Sequence, residues 1–111
     1  MGRGEWTGRP DRVDQLYEIS THYSRKFPEG DTPLGYLSRL TEELGEIAVE
    51  VQRLEGAPAK IAKHGQGNLP DLASEVEDLI HTALGLIQHY RAEAEFDAVV
   101  ADQHRKITTA S

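Results

Sequence analysis

The stretch Pro33-Leu-Gly-Tyr-Leu-Ser-Arg-Leu-Thr-Glu-Glu-Leu-Gly-Glu-Ile-Ala-Val-Glu-Val-Gln-Arg-Leu54 decides the fold class. Its apolar residues Leu37, Leu40, Leu44, Ile47, Ala48, Val51 and Leu54 recur at helical spacings and draw one long stripe. Thr32 before Pro33 predicts an N-cap followed by proline at the first helical position, and Gly56 with Pro58 predicts the end.

Outward from that helix the same period continues. Upstream, Val13, Leu16, Tyr17, Ser20, Tyr23 and Phe27 mark a first helix that begins at Asp11 and stops at Pro28. Downstream, the glycine-rich segment 56–68 reads mainly as a connecting loop, with room for a helical turn around Ala59 to Lys63. Asn68 is placed to cap a third helix, carried by Leu72, Val76, Leu79, Ile80, Ala83, Leu84, Ile87 and Tyr90. Pro70 is tolerated in its first turn, where the missing N–H has no intrahelical partner. A weaker pattern through Phe96, Val99, Val100 and Ile107 predicts a fourth helix fraying into the Thr-Thr-Ala-Ser end. Residues 1–10, with three glycines and a proline, read as a flexible arm, and Trp6 as an aromatic docked outside the core. No stretch alternates as a strand. The expectation is one all-α domain over residues 11–111, a four-helix bundle. Its third helix is apolar around more of its circumference than one small bundle covers, which predicts a homo-oligomer, a dimer or a dimer of dimers.

Composition narrows the function classes. The chain of 111 residues is 38% hydrophobic and 28% charged, a balance that folds as one soluble domain. Nineteen acidic against twelve basic residues give a net charge of -7, which opposes attraction to nucleic-acid backbones. There is no cysteine, so disulfides, thiolate nucleophiles and sulfur-ligated zinc are excluded and a reducing cytoplasm is the expected compartment. The N-terminus lacks a signal-peptide pattern, and nothing approaches the roughly 20 apolar residues of a membrane span.

The chemistry lies in the carboxylates. At 3.6 residues per turn, Glu43, Glu46 and Glu50 share a narrow arc beside the apolar stripe, while Glu42 points further out. Like charges so placed repel by a few tenths of a kcal/mol per pair unless a cation joins them. The third helix repeats the device with Glu75 and Asp78, one turn after Asp71. If the two helices pack antiparallel, the pairs converge. Hard oxygen ligands with few histidines and no thiols suit Mg2+ or Mn2+ rather than zinc or copper. A di-iron bundle would need an acidic residue and a histidine three apart on two helices, and only Asp78 with His81 offers one such pair.

Glu42-Glu43-Leu-Gly-Glu46, then 28 residues, then Glu75-Val-Glu-Asp78 resembles the paired E-E-x-x-E and E-x-x-D motifs of MazG-like nucleoside triphosphate pyrophosphohydrolases. The resemblance spans Leu34 to Tyr90. It implies a MazG-like fold and Mg2+-dependent cleavage of a nucleoside triphosphate to a monophosphate and pyrophosphate. By position it implies Glu43, Glu46, Glu75 and Asp78 as metal ligands, with Glu42, Glu46 and Glu50 assisting catalysis. Lys60, Lys63 and His64 on the connecting segment, and Arg105 and Lys106 near the end, fill the places of phosphate-binding residues. Where family members carry a lysine and an asparagine four apart, this chain has Gln103 and Ile107. Asp78-Leu-Ile-His81 also echoes phosphoribosyl-ATP pyrophosphohydrolases, the alternative enzymatic reading. A helical interaction module without activity is the alternative outside enzymology.

Overall fold

Asp11 opens the first helix, as its side chain accepts hydrogen bonds from the backbone N–H groups of Val13 and Asp14. In the computed structural model, which describes residues 11–109, this helix, α1, runs Arg12–Lys26. Pro28 ends it, and a single 3-10 turn, Pro28–Gly30, leads to Thr32. The Thr32 hydroxyl accepts from Gly35 N–H at 3.0 Å and starts α2, Pro33–Leu54. Asn68 caps α4, Leu69–His89, in the same way, accepting from Asp71 N–H at 2.8 Å while its amide donates to the Asp71 carboxylate. Such caps contribute about 1 kcal/mol each. Helix α5, Glu93–Thr109, follows a short turn. Expectations for the arm, for Trp6 and for residues 110–111 fall outside the described residues.

Two expectations need correction. The segment between α2 and α4 is mainly helical rather than a loop: α3 spans Pro58–His64, with proline at its first turn and alanines in its body. The described residues thus hold five α-helices rather than four, and no strand. Nor does the last helix complete a bundle within one chain, since α5 touches little beyond α4 and the start of α1.

The dominant packing is α2 on α4, then α1 on α4. Three contacts fix α2 and α4 as antiparallel: Arg53 at the end of α2 meets Asp71 at the start of α4, Glu43 meets Glu75 and Asp78 midway, and Tyr36 near the start of α2 meets Gly85. Gly85 is where three helices touch. A Cβ there would lie 2.6 Å from both Ser20 Oγ of α1 and Tyr36 Cε1 of α2, so only glycine allows this approach. Next to it, the Tyr36 hydroxyl donates to Asp31 Oδ1 at 2.7 Å, and His89 Nδ1 lies 3.1 Å from the same oxygen. Burial, and then the Asp31 hydrogen bond, push the Tyr36 phenol up to about 12, while Tyr36 and His89 hold Asp31 below its ordinary range.

Few apolar side chains are hidden. Among the described residues only Tyr36 and Leu84 are buried apolar side chains, beside the polar Ser20, Glu50, Arg53, His81 and Thr82. No described helix is long and apolar enough to cross a membrane.

Candidate metal centre

The antiparallel register brings the acidic turns of α2 and α4 face to face. One carboxylate oxygen from each of Glu43, Glu75 and Asp78 falls in a group whose members all lie within 4.8 Å of one another. Glu46, one turn after Glu43 and more exposed, completes the cluster by contacting the carboxyls of both Glu43 and Glu75. These are the four residues that the resemblance implied as ligands, whereas helical spacing alone also grouped Glu50 with Glu43 and Glu46.

The electrostatics of the cluster are those of crowded anions. A hydrogen bond shared with Glu46 is the main reason the Glu75 carboxyl is pushed up to about 7, with burial and the charges of Glu46, Asp78 and Glu43 adding to it. Burial raises Glu43, helped by Glu46 and Asp78 and opposed by His81. Burial likewise raises Asp78, with Glu77 adding and His81 opposing. Glu43 Oε2 and Glu75 Oε2 are buried with no hydrogen-bond partner. Where these carboxyls are ionised, oxygens so hidden from water cost free energy that either a proton shared with Glu46 or a cation among them removes. The donor set is all carboxylate and comes from two helices held by caps and a close crossing, which fits a hard divalent ion.

A second group shares Asp78: Glu77, Asp78 and His81 also present ligand atoms within 4.8 Å of one another. His81 Nδ1 lies 2.7 Å from Glu77 Oε2, and its ring stacks on Tyr23 of α1 at 5.2 Å between centroids. Helix α1 therefore supplies one wall of the site.

The other predicted residues lie elsewhere. Glu42 is exposed and belongs to neither group of potential ligands. Glu50 is buried, but its Oε1 accepts from Arg53 Nη1 at 2.6 Å. Lys60, Lys63 and His64 all lie on α3, with Lys60 half-buried and the other two exposed. Arg105 and Lys106 both pair with Asp102 near the end of α5, the latter at 3.0 Å.

Arg53 is the residue that sequence reasoning missed. Its guanidinium, nearly buried, donates to Gly65 O at 2.9 Å and Gln66 O at 2.7 Å, and to Glu50. It also lies 3.5 Å from Asp71. One side chain thus ties the end of α2 to the turn entering α4, and sets the axial register in which Glu43 meets Asp78. The available signal was Glu50 three residues before Arg53, a helical ion-pair spacing beside an apolar stripe.

Comparison with known proteins finds no matching family model, no matching curated protein and no matching solved structure.

Proposed function

We propose that the protein is a metal-dependent nucleotide pyrophosphohydrolase of the MazG-like kind, cleaving a nucleoside triphosphate to a monophosphate and pyrophosphate. The observation that carries this reading is the convergence of Glu43, Glu46, Glu75 and Asp78, with two buried carboxylate oxygens that no N–H or hydroxyl donor among the described residues reaches. In this reading Glu43, Glu75 and Asp78 hold Mg2+, or Mn2+ in its place. Bound there, the ion would neutralise phosphate charge and acidify an attacking water. In this reading Glu46, exposed and against Glu75, takes a proton from that water. Lys60 and Lys63 on α3 serve the phosphates, while the substrate's base and sugar are left to surfaces outside the acidic pair. The pairing of Arg105 and Lys106 with Asp102 supports a second reading, a helical module that binds metal without turnover.

The deciding experiment measures thermal stability with Mg2+ and Mn2+, then pyrophosphate release from a panel of normal and modified nucleotides. Metal at a hundredfold excess over its Kd stabilises the folded chain by about 2.7 kcal/mol. Asp78→Asn and Glu75→Gln remove that gain and the turnover while leaving helix content intact. Metal stabilisation without pyrophosphate from any nucleotide selects the module, and the absence of both refutes the metal site.

A further inference from the structure

Val13, in the first turn of α1, faces Phe96, Asp97, Val100, Ala101 and His104 of α5 across an open, largely apolar groove of about 600 Å³. Burial, and then the charges of Asp97, Glu93 and Asp14, raise the phenol of Tyr17, one turn further along α1. Advancing along α1 therefore means going back along α5. The two helices run antiparallel, and the start of α1 points along the end of α5. Past Val13, residues 102–109 of α5 continue for about 12 Å and, Asp102 apart, are exposed throughout. At about 100° per residue, Phe96, Val100, Gln103 and Ile107 fall within about 60° of one another. They form a row that begins in the groove and runs out along the overhang, where Val100 is 51% and Ile107 75% exposed.

Residues 1–10 join the fold at Asp11, two residues before Val13 and at the end of α1 where the α5 overhang begins. Trp6 stands five residues before Asp11 in the sequence, a span of at most about 17 Å of chain. Ile107 lies about 10 Å along α5 from Val100. The indole therefore reaches the whole row. The row measures about 17 Å by 10 Å, or about 170 Å². One tryptophan buries roughly 150–250 Å², whereas each partner of a stable protein pair buries roughly 800 Å². The strip thus matches a single aromatic side chain and is far too small for a folded partner. Charge agrees with this: Arg3 and Arg9 outnumber Glu5 in residues 1–10, and the groove carries Asp97 with Glu93 beyond it.

We infer that residues 1–10 strap α5 to α1 within one chain, with the Trp6 indole seated on the row of Phe96, Val100 and Ile107 and the arginines on the acidic side of the groove. Trp6 is then the side chain that fastens α5, which among the described residues meets only α4 and the start of α1. The sequence pointed to a tryptophan docked outside the core, and the groove assigns its seat. The strap is independent of the acidic centre, whose carboxylates belong to α2 and α4.

Trp6 is the chain's single tryptophan, so its fluorescence reports on the seat directly. In the purified full chain its emission is blue-shifted, and acrylamide quenches it several-fold less than in the urea-unfolded chain. Val100→Glu and Ile107→Glu each return it toward the unfolded values at unchanged helix content. Ala98→Glu, on the opposite side of α5, leaves it as in wild type. Because the chain has no cysteine, a nitroxide attached at Gln103→Cys gives a second reading that removes no apolar contact. It quenches Trp6 strongly, and the same label at Ala98→Cys does not. Wild-type emission like that of the unfolded chain overturns the inference, as does shielding that survives both Val100→Glu and Ile107→Glu, or equal quenching from the two labelled positions. Shielding that disappears on hundredfold dilution would seat the tryptophan on a second chain and overturns it too. Should the glutamate variants lose helix content, the nitroxide pair decides.

Discussion

Glu75 shows how a carboxyl can be destabilising by design. Its neighbours push it up to about 7 from an ordinary 4.5, and Glu43 and Asp78 are raised alongside it. A carboxyl raised in the folded state binds its proton more tightly there than in the unfolded chain. The stability it contributes is therefore complete below pH 4.5 and is lost as pH climbs through about 7. Asp31 runs the other way, but its lowered carboxyl acts only below its ordinary 3.8 and leaves this window alone. Chelator-treated protein should melt at a higher temperature at pH 5 than at pH 8. Saturating Mg2+ should remove most of that difference, since the metal favours the ionised cluster. A metal-free protein more stable at pH 8 than at pH 5 would contradict the crowding of these four side chains.

Elements are closed by their ends, and two of them close alike with different residues. At the end of α2, Gly56 N–H donates to Arg53 O and Ala57 N–H to Gln52 O, with Gly56 in the left-handed region at φ 85°. At the end of α4 the same pair of bonds runs from Arg91 to Gln88 and from Ala92 to Ile87, but the left-handed residue, at φ 54°, is an arginine. A side chain pays about 1 kcal/mol there that glycine does not. Arg91→Gly should raise stability by about 0.5–1 kcal/mol, read as a shift in the denaturant midpoint at unchanged slope, although glycine's freedom in the unfolded chain takes back part of the gain. Helix positions, caps and proline starts were legible in the sequence because each is a local signal: Thr32 before Pro33, Asn68 before Asp71. The α3 helix was not, because three glycines within 56–68 obscured the seven helical residues from Pro58 to His64. The convergence of Glu43, Glu46, Glu75 and Asp78 was legible because helical spacing fixes an arc on each helix. Glu50 shared that arc, and only the fold reveals that Arg53 holds it.

At the scale of the molecule, the α2/α4 pair is a two-sided object. One side gathers anions with α1 as its wall, and the other is an uncharged apolar plane. The sides are kept apart by the period of the helix, which separates residues four apart by only about 40° and so sustains two rows without mixing them. The exposed apolar residues of α2, Leu34, Leu37, Leu44 and Val51, become recognisable as a separate row only once α4 is known to occupy the other side. Helix α5, joined through the strained Arg91 turn, adds little to either side.

The meeting of Ser20, Tyr36 and Gly85 also bears on the order in which the chain folds. Helices α2 and α4 are joined by a short connection, and Arg53 reaches Gly65 and Gln66 within it, so their pairing closes small loops. Ser20 must find Gly85 across the whole of that hairpin, a closure that costs more entropy before any contact repays it. Docking of α1 thus belongs after the transition state. Ser20→Val, which crowds this crossing, should accelerate unfolding several-fold while leaving the folding rate nearly unchanged in stopped-flow measurements at fixed protein concentration; an equal slowing of folding would place α1 in the nucleus instead.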